Sequence, residues 1–413
     1  MQFRNEKLDN GLEVIAEINP EAFSLSIGYF VKTGARDEEP KMAGVSHFLE
    51  HMMFKGTARR TAADVNRELD DLGSQSNAYT SEEQTVYYMS VLPENQFAAL
   101  DLLSDMMRPA LRDEDFQTER QVILEEIAMY DDQPPYGAME RAAECYFGDH
   151  PLSRRVLGTR ETVGDLDPDR MRAYHQARYA PNNLTLVATG CVDFDALLKS
   201  AAELTNSWIP STTARSLCTP ARRNEEVRMI HPPATQQYTL QYSRGHGYCE
   251  PSRYTSRILA SILGDDSGSR LFWELVDTGM AESAAVFTQE FEECGLFCAF
   301  LCCAPDQHEE NWELLQDVLR RGADEPITER ELELARNKVL ASMILGSERP
   351  SNRLFSIGNA WTIRRTYETI QAASQHYRDL TLDAVQQEFE SLSAREKIVV
   401  SVGPGDEQSL SAK

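Results

Sequence analysis

The feature that most restricts how this 413-residue chain can fold is a plan that recurs at a spacing of 213 residues. Glu13-Val14 returns as Glu226-Val227, Pro20 as Pro233, and Val187, in an apolar run ending at Gly190, as Val400, in a similar run ending at Gly403. Each half therefore opens on a strand pair, continues through helices and closes on an apolar strand that ends in Gly. The chain is too long for one hydrophobic core, and halves of about 200 residues are an ordinary domain size. The expected fold class is α+β: two homologous α/β-sandwich halves, each a mainly antiparallel sheet with helices packed on it. The expected boundaries are 1–205 for the first half, 206–224 for a linker rich in Ser, Thr, Pro and Arg, 225–403 for the second half, and 404–413 for a frayed tail.

Within the first half, residues 10–18 and 23–33 read as strands around Pro20, and 76–80, 85–91 and 184–190 as further strands. Helices are expected over 61–72, capped by Thr61 and ended by Gly73, and over 94–107, 113–130, 136–147 and 167–179. Between the first strands and Thr61 lies His47-Phe48-Leu49-Glu50-His51, in a run without internal Gly or Pro that predicts a helix over 44–54. At i and i+4, His47 and His51 sit about 40° apart on one face, one turn apart, where two imidazoles can share a cation. Glu50 lies on the edge of that face. The order H-x-x-E-H reverses the commoner H-E-x-x-H zinc motif. At the 213-residue spacing His47, Glu50 and His51 fall on Ala260, Leu263 and Gly264, so the second half is expected to be metal-free and the chain to hold one ion.

A third ligand is expected from the helix over 113–130. Glu119 and Glu126, seven residues apart, stand within about 20° of each other, whereas Glu125 points about 100° away from Glu126. Glu126 as third ligand with Glu119 behind it is one reading; two surface carboxylates fit the spacing equally well.

Charge and composition exclude other roles. A net charge of −25 argues against nucleic acid, whose phosphates call for clustered Lys and Arg. No apolar run reaches the roughly 18 residues of a membrane span, and the polar start Met1-Gln2-Phe3-Arg4 has no signal-peptide core. The expected location is the cytoplasm. Among the eight Cys, the cluster Cys294, Cys298, Cys302 and Cys303 falls on a strand-like apolar run and reads as reduced core thiols rather than a ligand set.

His47 to Thr57, then Ser76-Asn77-Ala78-Tyr79-Thr80, then Glu119 to Ile127 together resemble the insulinase/pitrilysin family of inverzincin metallopeptidases, in particular the short-chain branch that includes the mitochondrial processing peptidases. Leu157-Gly158-Thr159, Tyr179 to Asn183, Gly268-Ser269-Arg270-Leu271-Phe272 and Glu329 to Asn337 extend the resemblance over nearly the whole chain. The resemblance implies a zinc endopeptidase of peptides or unfolded segments. In it His47, His51 and Glu126 hold zinc, Glu50 is the general base, Glu119 supports a ligand from behind, and Asn77 and Ala78 lie on a substrate-binding edge strand. It also implies a homodimer, or a heterodimer with a related chain, closing a chamber. One departure stands out. After Arg270-Leu271-Phe272 the family carries an Arg and later a Tyr that clamp the substrate carbonyl; here the run is one residue short, with Val276 and Glu282 in those places. A non-catalytic scaffold, or a catalytic subunit active only with a partner, is the alternative.

Overall fold

The computed structural model describes residues 1–212, 214–221, 223–322 and 324–405, so most of the expected 404–413 tail lies outside the described residues. Among the described residues eleven strands form two sheets. The first contains β1 (Gln2–Lys7), β2 (Glu13–Ile18), β3 (Leu25–Val31), β4 (Gln75–Thr80), β5 (Thr85–Val91) and β6 (Leu184–Gly190), in the order β1-β2-β6-β3-β5-β4. The second contains β7 (Glu225–Ile230), β8 (Gln237–Gly245), β9 (Ser283–Glu290), β10 (Gly295–Cys303) and β11 (Lys397–Gly403), in the order β7-β11-β8-β10-β9. Every ladder is antiparallel except β2 with β6 and β7 with β11. In each sheet the last strand of the half slips between two of its early strands, β6 between β2 and β3 and β11 between β7 and β8. The two-half α+β fold is what the repeat predicted.

The register refines that repeat by one residue. Val187 of β6 pairs with Ile15, while Val400 of β11 pairs with Val227. Matching β6 to β11 at 213 therefore sets Ile15, not Val14, against Val227. β1 is an addition to the sequence reading. Its polar residues suit an edge strand, and it folds back on β2 through a turn in which Gly11 adopts φ +91°, open to glycine.

Two compact units emerge, and neither is contiguous. One gathers Met1–Ala128, Arg154–Ser216 and Gly346–Glu368; the other gathers Met129–Ser153, Leu217–Leu345 and the chain from Thr369. In the first unit β3 and β6 are buried along their whole length, as a sheet covered on both faces requires. One face meets the first-half helices. The other meets the helix Pro350–Arg364, whose Leu354 and Ile357 pack on Ile15, Phe30, Val86 and Val187. Gly358 allows the closest approach, since a Cβ there would stand 2.3 Å from the Phe30 ring. Arg353 Nε donates to Glu17 Oε1 at 2.7 Å, and Trp361 Nε1 to Glu13 Oε2 at 2.6 Å. In the second unit the helix Ala138–Phe147 covers the sheet through Ala138, Ala142 and Cys145 against Leu240, Ile398 and Val400. Each sheet is thus completed by a helix from the other half of the sequence. Cys298, Cys302 and Cys303 are buried along β10 as free thiols. No helix among the described residues is long and apolar enough to cross a membrane.

Candidate metal centre

The histidine-bearing helix spans Val45–Met52. Its start requires glycine: Gly44 has φ +94°, and a Cβ there would meet the Leu157 carbonyl oxygen at 2.7 Å. The buried carboxylate of Glu38 accepts from the N–H groups of Gly44 and Ser46, both at 2.7 Å, and so satisfies donors that a helix end leaves free. Val45, Phe48, Leu49 and Met52 bury one side of the helix, which leaves His47 and His51 on another, their ring centroids 4.6 Å apart.

The carboxylate-bearing helix, Asp113–Asp131, buries Phe116, Glu119, Ile123 and Ile127, a three-and-four spacing that presses one face inward. Phe116 stacks on Phe48 with centroids 4.5 Å apart and planes 19° apart, docking the two helices. Arg112, just before this helix, donates to the carbonyls of Lys55 (3.2 Å) and Thr57 (2.9 Å) beyond the histidine helix.

That docking brings Glu126 Oε2 to 3.5 Å from His51 Nε2 and 3.8 Å from His47 Nε2. A tetrahedral ion with bonds of about 2.0–2.1 Å keeps its ligand atoms roughly 3.3–3.5 Å apart. Glu126 Oε2 is buried and accepts no hydrogen bond, so a carboxylate oxygen and two imidazole nitrogens face one another. The three residues fit a zinc ion. Among the described residues this is the one grouping of three or more His, Cys, Asp or Glu whose ligand atoms converge in this way.

Supporting groups complete the picture. His51 Nδ1 lies 2.9 Å from Glu119 Oε1, and Lys55 Nζ lies 2.6 Å from Glu119 Oε2. An ionised Glu119 only accepts, which places the proton on Nδ1 and leaves the Nε2 lone pair for an ion. Burial alone would raise the Glu119 pKa, but His51 and Lys55 outweigh it and hold it below the usual carboxylate value. Burial also opposes charge on His51, yet its bond to Glu119 and the neighbouring carboxylates keep its pKa above normal. Burial, helped by the His51 charge, drops His47 to about 4, so its ring is neutral near pH 7. His47 Nδ1 is buried and makes no hydrogen bond to the described residues. Glu50 accepts from Thr80 Oγ1 at 2.5 Å, and burial nonetheless lifts its pKa above the usual value.

The structure therefore gathers His47, Glu50, His51, Glu119 and Glu126. Asn77 and Ala78 lie on β4, an edge strand of the first sheet, and the Ala78 N–H donates to the Asn77 side chain at 2.9 Å. Val276 packs against the second-half core at the end of a π-helical turn, Phe272–Val276. Glu282 is exposed and accepts from Gln236 Nε2 at 3.1 Å. Neither offers a cation or a hydroxyl. Sequence reasoning passed over Lys55, Thr80 and Glu38. Only Lys55 left a signal, standing four residues beyond His51 as His51 stands beyond His47.

Comparison with known proteins identifies a family. Residues 13–160 match the family described as Insulinase (Peptidase family M16), and residues 165–339 match Peptidase M16 inactive domain. An uncharacterized zinc protease of Mycobacterium tuberculosis is 30% identical over 98% of this chain and 94% of its own length. Two crystal structures share the fold at lower identity. A protease from Helicobacter pylori has a TM-score of 0.88 and 20% identity, over 98% of this chain and 100% of its own. A Pseudomonas fluorescens chain described as a peptidase M16 inactive domain has a TM-score of 0.90 and 17% identity, over 98% and 99%.

Proposed function

The chain belongs to the insulinase family, peptidase family M16, and from that premise we propose that it is a zinc-dependent endopeptidase of peptides or unfolded segments. His47, His51 and Glu126 hold the metal, in a zinc-bearing half over 1–205 that a linker at 206–224 joins to a metal-free half over 225–403. The observation that carries this reading is the Glu126 oxygen, buried without a hydrogen bond, at 3.5 and 3.8 Å from two imidazole nitrogens.

Zinc in that set supplies Lewis acidity toward a water and a scissile carbonyl. The residues of the chain do the rest. Glu50 takes a proton from the attacking water and delivers it to the leaving amine nitrogen. Thr80 occupies one of its oxygens and leaves the other free to act. Glu119 keeps the His51 ring turned with Nε2 toward the site. An extended substrate adds to the open edge of β4, where Asn77 and Ala78 bind its backbone. Peptides and unfolded segments present such a free strand, which supports that substrate class.

A second reading has its own support. Val276 and Glu282 offer no oxyanion donor, and such donors are worth about 10²–10³ in rate. The chain is then either a zinc-loaded catalytic subunit active only with a related partner, which completes a two-chain chamber in the cytoplasm, or a non-catalytic scaffold. A second copy of this chain would bring the same Val276 and Glu282, so the missing pair would have to come from a different chain. Zinc stoichiometry, followed by cleavage of a quenched peptide by wild type and Glu50→Gln, separates these. Zinc with cleavage supports the endopeptidase, zinc without cleavage the partner-dependent subunit, and no zinc the scaffold.

A further inference from the structure

Lys55 sits three residues beyond the histidine helix. Its backbone is held from both sides: its N–H donates to the Met52 carbonyl at 3.1 Å, and its own carbonyl accepts from Arg112. Its ammonium lies 2.6 Å from Glu119 Oε2. It reaches a carboxylate whose side chain is only 5% exposed, and Lys55 itself is 36% exposed. An exposed ion pair would contribute little, but removing one partner of a buried pair strands the other charge. Glu119 has two oxygens: Oε2 forms an ion pair with Lys55 at 2.6 Å, though it accepts no well-aligned hydrogen bond, and Oε1 meets His51 Nδ1.

We propose that Lys55 is a positioning residue of the metal centre, fixing the Glu119 carboxylate so that Glu119 in turn fixes the tautomer and direction of His51. This rests on the zinc reading above. The chain of contacts runs from ammonium to carboxylate to imidazole, and the far ring nitrogen of that imidazole faces Glu126. Without Lys55 the carboxylate has no second anchor, and the His51 ring loses the fixed acceptor that aims it. Partners behind a metal ligand typically account for 10–100-fold in affinity. A competing effect has the opposite sign, because a nearby cation repels a divalent ion and its loss would tighten binding. The two effects make opposite predictions.

The test uses the full chain with zinc as the probe. Zinc affinity is measured by chelator competition for wild type, Lys55→Met and Lys55→Arg, and the visible spectrum is recorded for the cobalt-loaded proteins. We expect Lys55→Met to bind zinc about tenfold or more weaker, with an altered cobalt spectrum, and Lys55→Arg to stay close to wild type. Zinc affinity unchanged or tighter in Lys55→Met overturns the proposal. Adding Glu119→Gln should abolish most of the Lys55→Met effect, because the group that Lys55 holds has lost its charge; full additivity in that cycle also overturns it. Lys55→Gln replaces Lys55→Met if the latter does not fold. A wild-type chain that binds no zinc defeats the underlying zinc reading instead, which keeps the two failures apart.

Discussion

Glu126→Gln separates a metal ligand from a surface carboxylate, because the two roles predict opposite effects on binding and stability. The substitution keeps the shape of the side chain and removes its charge. Glu126 Oε2 is buried and accepts no hydrogen bond, while both imidazoles stand 3.5–3.8 Å away. The attraction of His51 offsets only part of the cost of a buried carboxylate oxygen without a hydrogen bond, so neutralising it should leave the apo protein as stable as wild type, or more stable by about 1 kcal/mol. Zinc binding should suffer heavily. Residues that only support a ligand account for about 10–100-fold, so losing a ligand itself should cost at least about 100-fold, or roughly 2.7 kcal/mol. Thermal melts with and without zinc read both quantities. Zinc at about 100 times the wild-type Kd adds about 2.7 kcal/mol to wild type, and should add far less to Glu126→Gln. A variant that keeps zinc affinity within tenfold of wild type, or whose apo form melts well below wild type, would refute the assignment of Glu126.

Other expectations follow from the same structure. Glu50→Gln should retain zinc but lower peptide cleavage by about 10²–10⁴-fold; zinc loss would move Glu50 from base to structural role. Leu354→Ala, at a fully buried position between Phe30 and Ile357, should lower stability by about 2–5 kcal/mol in urea titrations, and a loss under about 1 kcal/mol would deny the helix Pro350–Arg364 its place on the first sheet. His246 and Glu388 lie 3.2 Å apart. The bond to Glu388 raises the His246 pKa against the effect of burial. Burial would raise Glu388, but His246, Arg395 and Ser256 outweigh it and bring it down to about 2. The Glu388 contribution is present above its ordinary 4.5 and lost as pH falls toward 2; the His246 contribution is present below its ordinary 6.5 and lost as pH rises through its raised value. The stability difference between wild type and Glu388→Gln should therefore peak between pH 4.5 and 6.5; a difference flat with pH would contradict the pair.

Much of this arrangement is legible in the sequence because it is local. His47 and His51 read as neighbours from helical spacing alone, and the seven-residue interval from Glu119 to Glu126 puts both carboxylates near one face. The distance between the two helices is not local. It depends on Phe48 meeting Phe116 and on Arg112 reaching two carbonyls, contacts that no spacing records. The same holds for Thr80 and Lys55, each defined by a partner on another element. β1 was hidden because an edge strand exposes polar residues and shows little apolar alternation. The helices Ala138–Phe147 and Pro350–Arg364 each show an apolar side, but periodicity does not say which sheet it covers, and each covers the sheet of the other half. The repeat gave the topology while missing the register by one residue, since a strand match is blind to a single-residue slip.

X-ray absorption at the zinc edge of the purified full chain tests the central claim most directly. One zinc per chain, with only nitrogen and oxygen neighbours at about 2.0–2.2 Å and an imidazole signature that weakens in His47→Ala and His51→Ala, is the predicted result. Sulfur neighbours at about 2.3 Å, or a spectrum unchanged by both substitutions, would place the ion elsewhere and contradict the account.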